Sequence, residues 1–149
     1  MPSKKNVPAE LTKDYATNSI IDKAMQAEYA PAAADTGAVI RSLEGIDPKL
    51  RAFYTVLAQE SKNRYGAPAS IGEALRSQAR QKALYAQGRT AAGPMVTNTL
   101  NSRHLNGRAI DIVPPKGVKQ AVFRDFARGI ADKMGIGYLG NWDPFHFQV

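Results

Sequence analysis

Apolar residues recur every three to four positions in three segments of the chain, and this spacing predicts amphipathic helices. The segments are residues 17–28, 48 to about 64, and 119–134. The pair Asp47-Pro48 favours the start of the second helix, because Asp caps a helix and Pro suits its first turn. Gly135 favours the end of the third helix.

Short runs of branched and aromatic residues lie between and after these helices, as is typical of strands. The predicted strands are residues 69–75, 109–113, 136–139 and 145–149. A further helix is predicted from a cap at Ser77 to Gln87, and the Gly-, Pro- and Thr-rich loop over residues 89–101 suits the rim of a substrate site. Together these elements predict an α+β fold in which helices pack on a small, mainly antiparallel sheet.

The pattern divides the chain into two parts. Residues 46–149 are predicted to form one domain, since a chain of 149 residues with 44% hydrophobic content suits a single core. Residues 1–45 are predicted to be an N-terminal extension, with a linker over residues 31–37. Its helix is short, and isolated helices below about 12–15 residues are marginal in water, so it should dock on the domain or on another protein.

Charge follows the same division. Residues 1–50 have six Lys or Arg and seven Asp or Glu, net −1, whereas residues 51–149 have fourteen and six, net +8, which together give the net charge of +7. A basic domain suits anionic wall polymers and would equally suit nucleic acid. Because the sequence contains no recognisable nucleic-acid motif, we expect no nucleic-acid partner.

The composition also bounds where the protein acts. No apolar run approaches the length of a membrane span, and the N-terminal residues 1–7 lack the apolar region of a secretory signal. We therefore expect a soluble protein without a signal peptide. Cysteine is absent, which excludes disulfides and thiolate metal ligands.

Both histidines of the chain stand near acidic residues in strand or turn sequence. Catalytic zinc takes three nitrogen or oxygen ligands from the protein and leaves one position for water, so two imidazoles and one carboxylate complete the set. Ligands on neighbouring strands can converge on one ion. The candidate zinc ligands are therefore His104, Asp111 and His146, and the alternative is that each histidine is an ordinary structural residue.

Two motifs resemble those of the zinc peptidoglycan peptidases: S-x-H-x-x-G-x-A-x-D at residues 102–111 and W-D-x-x-H-F at residues 142–147. This family includes D-alanyl-D-alanine carboxypeptidases, vancomycin-resistance dipeptidases and phage L-alanyl-D-glutamate endolysins. The resemblance covers about residues 48–149 and is greatest to the phage endolysin branch. It implies the fold of the zinc D,D-peptidases and Hedgehog proteins, preceded here by the helical extension.

The resemblance also implies a role for each site residue. It assigns Zn²⁺ to His104, Asp111 and His146. Asp143 becomes the general base, and Arg76 becomes the residue that binds substrate and stabilises the oxyanion. The alternatives are a turn cap before a proline for Asp143 and a surface salt bridge for Arg76.

Four further residues bear on the geometry of the ligands. Ser102 and Gly107 are expected to shape the loop that bears the first histidine. Pro144 is one residue earlier than the proline of many family members, which puts the turn geometry in question. Gln148 stands where many members have an acid, so His146 must be oriented by a backbone carbonyl, by water or by Gln148 itself.

The function implied by the resemblance is hydrolysis of a peptide bond in the peptidoglycan stem, the L-alanyl-D-glutamate bond, by a phage endolysin or virion-associated lysin. One alternative is a D-alanyl-D-alanine carboxypeptidase. Another is a wall-binding or virion structural protein with a residual zinc site. The protein would remain in the host cytoplasm until lysis or travel with the virion, and would reach the wall by a holin-dependent route or through a virion protein bound to residues 1–45.

Overall fold

The computed structural model describes residues 36–149, so the predicted helix at residues 17–28 and most of the predicted linker lie outside the described residues. Within residues 36–149 three α-helices accompany one four-stranded antiparallel sheet, which confirms the predicted α+β fold. The elements in chain order are α1 (Pro48–Tyr65), β1 (Ser70–Glu73), α2 (Gln78–Ala86), a 3-10 turn (Arg103–Asn106), β2 (Ala109–Val113), α3 (Gln120–Met134), β3 (Gly137–Tyr138) and β4 (His146–Gln148). The strand order across the sheet is β1-β2-β4-β3.

Three of the predicted helix boundaries are confirmed: the starts of α1 and α2 and the end of α3. Asp47 accepts a hydrogen bond from the Lys49 amide at 2.8 Å, and Ser77 accepts one from the Arg80 amide at 3.1 Å. Gly135 adopts a left-handed conformation after α3, with φ of 67°. None of the helices in the described residues is both long and apolar enough to cross a membrane.

The core lies between one face of the sheet and the helices α1 and α3. Phe53 of α1 and Phe147 of β4 meet at its centre, with ring centroids 4.9 Å apart. The buried apolar side chains that surround this pair include Leu50, Leu57, Ile110, Ile112, Phe123, Ala127 and Ala131. Ala127 and Ala131 are exceptions to the sequence prediction, since the pattern that predicted α3 rests on its larger apolar residues such as Phe123.

Part of the segment before α1 also contacts this core. The Ile40 carbonyl accepts a hydrogen bond from the Ala74 amide at 2.7 Å, just after β1. Leu43 packs against the core, and Ile46 is buried in it. Residues 40–45, which the sequence assigned to the extension, therefore contact the domain directly.

Candidate metal centre

Three polar side chains form a row across the sheet. Asp111 of β2 pairs with His146 of β4 on one side and with Glu73 of β1 on the other. Successive side chains of a strand point to opposite faces of the sheet. Ile110 and Phe147, the next pair along, lie in the core, so the polar row occupies the face turned away from the core.

A bulge in β1 brings Glu73 to this face. Ile71 pairs with Ile112, but Glu73 pairs with Asp111, so two steps along β1 match a single step along β2. An extra residue in one strand changes the face to which the following side chains point. Ile71 therefore lies in the core, whereas Glu73, two residues later, joins the polar row.

His104 reaches the same place from the 3-10 turn before β2. Ser102 accepts a hydrogen bond from the His104 amide at 3.3 Å, and the Arg76 amide donates to the His104 carbonyl at 2.9 Å. Gly107 ends the turn with φ of +70°, and a Cβ there would lie 2.0 Å from the Gly45 carbonyl oxygen. Ser102 and Gly107 thus shape the ligand loop, as the sequence predicted.

The structure brings together the three side chains predicted as ligands. Asp111 Oδ1 lies 3.3 Å from His104 Nε2 and 3.2 Å from His146 Nδ1. One potential ligand atom from each of the three residues lies within 4.8 Å of the others. Donor atoms around one tetrahedral zinc ion lie about 3.3 Å apart, given zinc–ligand bonds of about 2.0–2.1 Å.

Hydrogen bonds at the far side of each ring direct a lone pair toward the centre of this cluster. His104 Nδ1 lies 2.8 Å from the Ala74 carbonyl oxygen, and His146 Nε2 lies 3.0 Å from Gln148 Oε1. Both oxygens can only accept, so these ring nitrogens carry the protons. The unprotonated nitrogens are then the two that face Asp111, which is how metal-binding histidines are usually oriented.

These donor atoms fit a metal ion. His104 Nε2 and Asp111 Oδ1 are buried, and neither has a hydrogen-bond partner within the described residues 36–149. Buried polar atoms without a partner are costly unless an ion or water satisfies them. Two imidazole nitrogens and one carboxylate oxygen are a donor set that zinc accepts. The cluster of His104, Asp111 and His146 can therefore hold a metal ion.

The protein environment shifts the pKa values of three groups here. Burial by itself would raise the pKa of Asp111, but polar contacts and charge from His104 and His146 outweigh it and hold that pKa well below its ordinary value. Burial would lower the pKa of His146, but its contact with Asp111 raises it. The pKa of Asp143 is raised because partial burial and the negative charge of Asp111 disfavour its ionised form.

Asp143 and Arg76 both lie at the edge of the cluster. Asp143 Oδ2 is 3.8 Å from His146 Nδ1, and an Arg76 terminal nitrogen is 3.8 Å from Asp111 Oδ2. Arg76 also pairs with Glu73 and donates to Gln81 at 2.9 Å, so it is a largely enclosed group with several bonds and not a surface ion pair.

Sequence reasoning missed Glu73 and Gln81. Both side chains are buried, and both hold Arg76. The available signal was an acid in an otherwise apolar strand three residues before Arg76. Without knowledge of the bulge, this position reads as part of the core face.

A pocket of about 610 Å³ opens beside the polar row. All three candidate ligands, Asp143 and Arg76 line it. Residues 95–99 form another part of its wall, so the loop predicted as a substrate rim does border the site. Trp142 stands at the pocket with 78% of its surface exposed.

Comparison with known proteins finds a relative among the solved structures. No family model matches the chain, and no curated protein matches it. A solved structure, the L-Ala D-Glu endopeptidase ChiX of Serratia marcescens, is 31% identical, with a TM-score of 0.48, and the match covers 72% of this chain and 82% of that one. The relationship rests on the sequence identity and its coverage, and on that basis the chain belongs to the same peptidase family as this endopeptidase.

Proposed function

We propose that this protein is a zinc-dependent peptidase that hydrolyses the L-alanyl-D-glutamate bond in the stem peptide of peptidoglycan. The observation that carries the proposal is the convergence of His104, Asp111 and His146, with Asp143 beside them, in a pocket. The specificity is proposed because the 31% identical relative is an L-Ala D-Glu endopeptidase.

Each residue then has a chemical task. Zinc held by the two histidines and Asp111 would supply Lewis-acid polarisation of the peptide carbonyl and of water. Asp143 would accept the proton of the attacking water and deliver it to the leaving amine. Arg76 would stabilise the negative charge that develops on the carbonyl oxygen.

The pocket favours an enzyme over a wall-binding or virion structural protein with a residual zinc site. A structural site is closed by a fourth protein ligand, whereas a catalytic site keeps an open position. Within residues 36–149 the candidate cluster has three members and borders a pocket of about 610 Å³. We further propose that the protein acts as a phage endolysin or a virion-associated lysin. The support for this part is the sequence resemblance to the phage endolysins.

Digestion of purified peptidoglycan tests the proposal. The products are analysed by mass spectrometry after incubation with the protein alone, with a chelator, and with the chelator followed by added zinc. We expect new amino termini on D-glutamate, which disappear with the chelator and return with zinc. Release of free D-alanine would identify a D-alanyl-D-alanine carboxypeptidase instead, and absence of any cleaved peptide bond would contradict the proposal.

A plasmid DNA sample incubated in parallel controls for the basic charge of the domain. A chelator-sensitive nuclease would degrade it, whereas a peptidase leaves it intact. Degradation of DNA with intact peptidoglycan would reassign the site to nucleic-acid chemistry.

A further inference from the structure

Two arginine side chains share the single carboxylate of Glu73. Arg76 donates to Oε1 from Nε at 2.9 Å and also from a terminal nitrogen, and Arg80 donates to Oε2 from Nε at 3.1 Å. Both arginines line the pocket. One buried carboxylate therefore pairs with two guanidinium groups. Arg76 also lies 3.8 Å from Asp111, so Arg80 is the arginine of this cluster that shares its only carboxylate partner among the described residues.

The two arginines differ in their hydrogen bonds within the protein and in their exposure to solvent. Arg76 is bonded to Glu73 and Gln81 and has a side chain only 10% exposed. The side chain of Arg80 is 29% exposed, and within residues 36–149 its guanidinium is bonded to Glu73 through Nε. Both terminal nitrogens of Arg80 are thus available to a ligand, whereas each terminal nitrogen of Arg76 already makes a hydrogen bond and keeps one N–H for the oxyanion.

Glu73 also fixes where such a ligand would lie. Arg76 is the arginine next to Asp111 in the candidate metal cluster, and Arg80 is held on the other oxygen of Glu73. A substrate carbonyl beside Asp111 and Arg76 would therefore place the neighbouring part of the substrate near Arg80. A planar guanidinium binds a carboxylate by two parallel hydrogen bonds, which suits an anionic group at that point.

We propose that Arg80 is a specificity-determining residue that binds a free carboxylate on the substrate residue next to the cleaved bond. This inference rests on the proposed function and deepens it. In an L-alanyl-D-glutamate stem, the D-glutamate is linked onward through its γ-carboxyl group and its α-carboxylate is free. Arg80 would select the stem with this carboxylate over the stem in which it is an amide.

Two matched synthetic peptides test this inference in the zinc-loaded full-length protein. Both contain the L-alanyl-D-glutamate bond, one with a free α-carboxylate and one with the α-carboxamide. We expect the wild type to cleave the acid with a kcat/KM about 10- to 100-fold higher, from the usual worth of a hydrogen bond to a charged group. Arg80→Gln should lose this preference, because its kcat/KM should fall on the peptide with the free α-carboxylate and stay unchanged on the α-carboxamide peptide.

Lys82→Gln is the matched control, because Lys82 is an exposed basic residue of the same helix and does not line the pocket. It should keep the preference of the wild type. Zinc content and thermal unfolding show whether each variant is intact. If Arg80→Gln does not fold, Arg80→Lys, which keeps the charge but not the planar fork, must show a smaller preference than the wild type for the inference to stand.

The outcomes separate this inference from the function on which it rests. The inference would be overturned if Arg80→Gln kept the full preference for the acid peptide. It would also be overturned if kcat/KM fell equally on both peptides, because Arg80 would then only support Arg76. Cleavage of both peptides at one rate by the wild type would overturn it and leave the proposed function standing. If the wild type cleaves neither peptide, the proposed function is wrong and the inference falls with it.

Discussion

Gln148 holds the ring of His146 from the side opposite the candidate metal cluster: its amide oxygen lies 3.0 Å from Nε2, while Nδ1 lies 3.2 Å from Asp111. The two residues are neighbours on one face of β4, because they are two positions apart in a strand. An amide orients the imidazole without adding a negative charge. This is one of the three arrangements that the sequence left open for His146.

The contact predicts that Gln148→Leu weakens zinc binding while the ligands stay in place. Loss of a hydrogen-bond partner behind a metal-binding residue costs about 10- to 100-fold in affinity. Competition with a chromogenic chelator measures the change. Gln148→Glu, which keeps an acceptor oxygen, is the control and should bind at least as tightly as the wild type. Equal zinc affinity in the leucine variant would show that Gln148 does not orient the ring.

Alanine at any of His104, Asp111 or His146 should remove both bound zinc and activity, because each supplies one of three donor atoms. Elemental analysis of the purified variants gives the zinc content. Asp125→Ala is the control, since Asp125 is an exposed acid on α3, and it should keep both. Stoichiometric zinc in a variant that lacks both histidines would mean that the site lies elsewhere.

Asp143→Asn should separate metal binding from chemistry. The amide cannot accept the proton of the attacking water, so we expect the rate to fall by about 10²- to 10⁴-fold with zinc content and thermal unfolding unchanged. Asp125→Asn makes the same substitution away from the site and should have no effect. If the Asp143 variant loses zinc and excess zinc restores its activity, Asp143 supports the metal and another group is the base.

Gln81 connects Arg76 to the loop that borders the pocket. Its side chain accepts from Arg76 at 2.9 Å and donates to the Thr99 carbonyl at 2.7 Å, and it is fully buried. Gln81→Leu should lower the free energy of unfolding by about 1–3 kcal/mol, because it removes two hydrogen bonds of a buried side chain, one of them to a charged group. Turnover should also fall while zinc is retained. Urea denaturation and peptide assays measure the two effects.

Gln59→Leu provides the comparison for this variant. Gln59 is exposed, and within residues 36–149 its side chain donates to Asn63 on the same helix, so its loss should change neither stability nor rate appreciably. If the Gln81 variant kept the stability and the turnover of the Gln59 variant, the hydrogen bonds that join Thr99 to Arg76 through Gln81 would not contribute to either.

The extension and the domain can be separated by truncation. A chain that begins at residue 46 should unfold at lower urea concentration than one that begins at residue 36. It lacks the Ile40 carbonyl that pairs with Ala74 and the apolar contact of Leu43, together worth about 1–3 kcal/mol. Equal midpoints would show that residues 36–45 belong to a docking extension, as the sequence predicted for residues 1–45.

Much of the fold could be predicted because its signals are local. Asp47 and Ser77 cap their helices through amides two or three residues away, and Gly135 ends α3 through its own backbone. β2 occupies residues 109–113 as predicted, since alternation within one strand is visible in the sequence. The residue types of His104, Asp111 and His146 likewise indicated a metal site. The structure brings the three together, and their binding of zinc stays a prediction.

The bulge in β1 could not be predicted, because a bulge exists only relative to the partner strand. Because of this bulge, Glu73 faces the candidate site instead of the core. Two other contacts could not be predicted for a similar reason, because each joins residues far apart in the sequence. Gln81 and Thr99 are 18 positions apart, and Ala74 and His104 are 30 positions apart. The roles of Arg76 and Asp143 were assigned from the family resemblance. Their position at the edge of the candidate metal cluster is an independent observation from the structure.

The pairing of Asp111 opposite His146 would tie the proposed zinc binding to the assembly of the sheet. If β4 slipped by one residue, His146 would pass to the other face of the sheet and Phe147 would leave the core. A sheet misaligned in this way could not load zinc, and zinc would stabilise only the correctly aligned one. Under the proposed function, metal loading would then act as a check on folding, because the site would be complete only after β4 has docked in register.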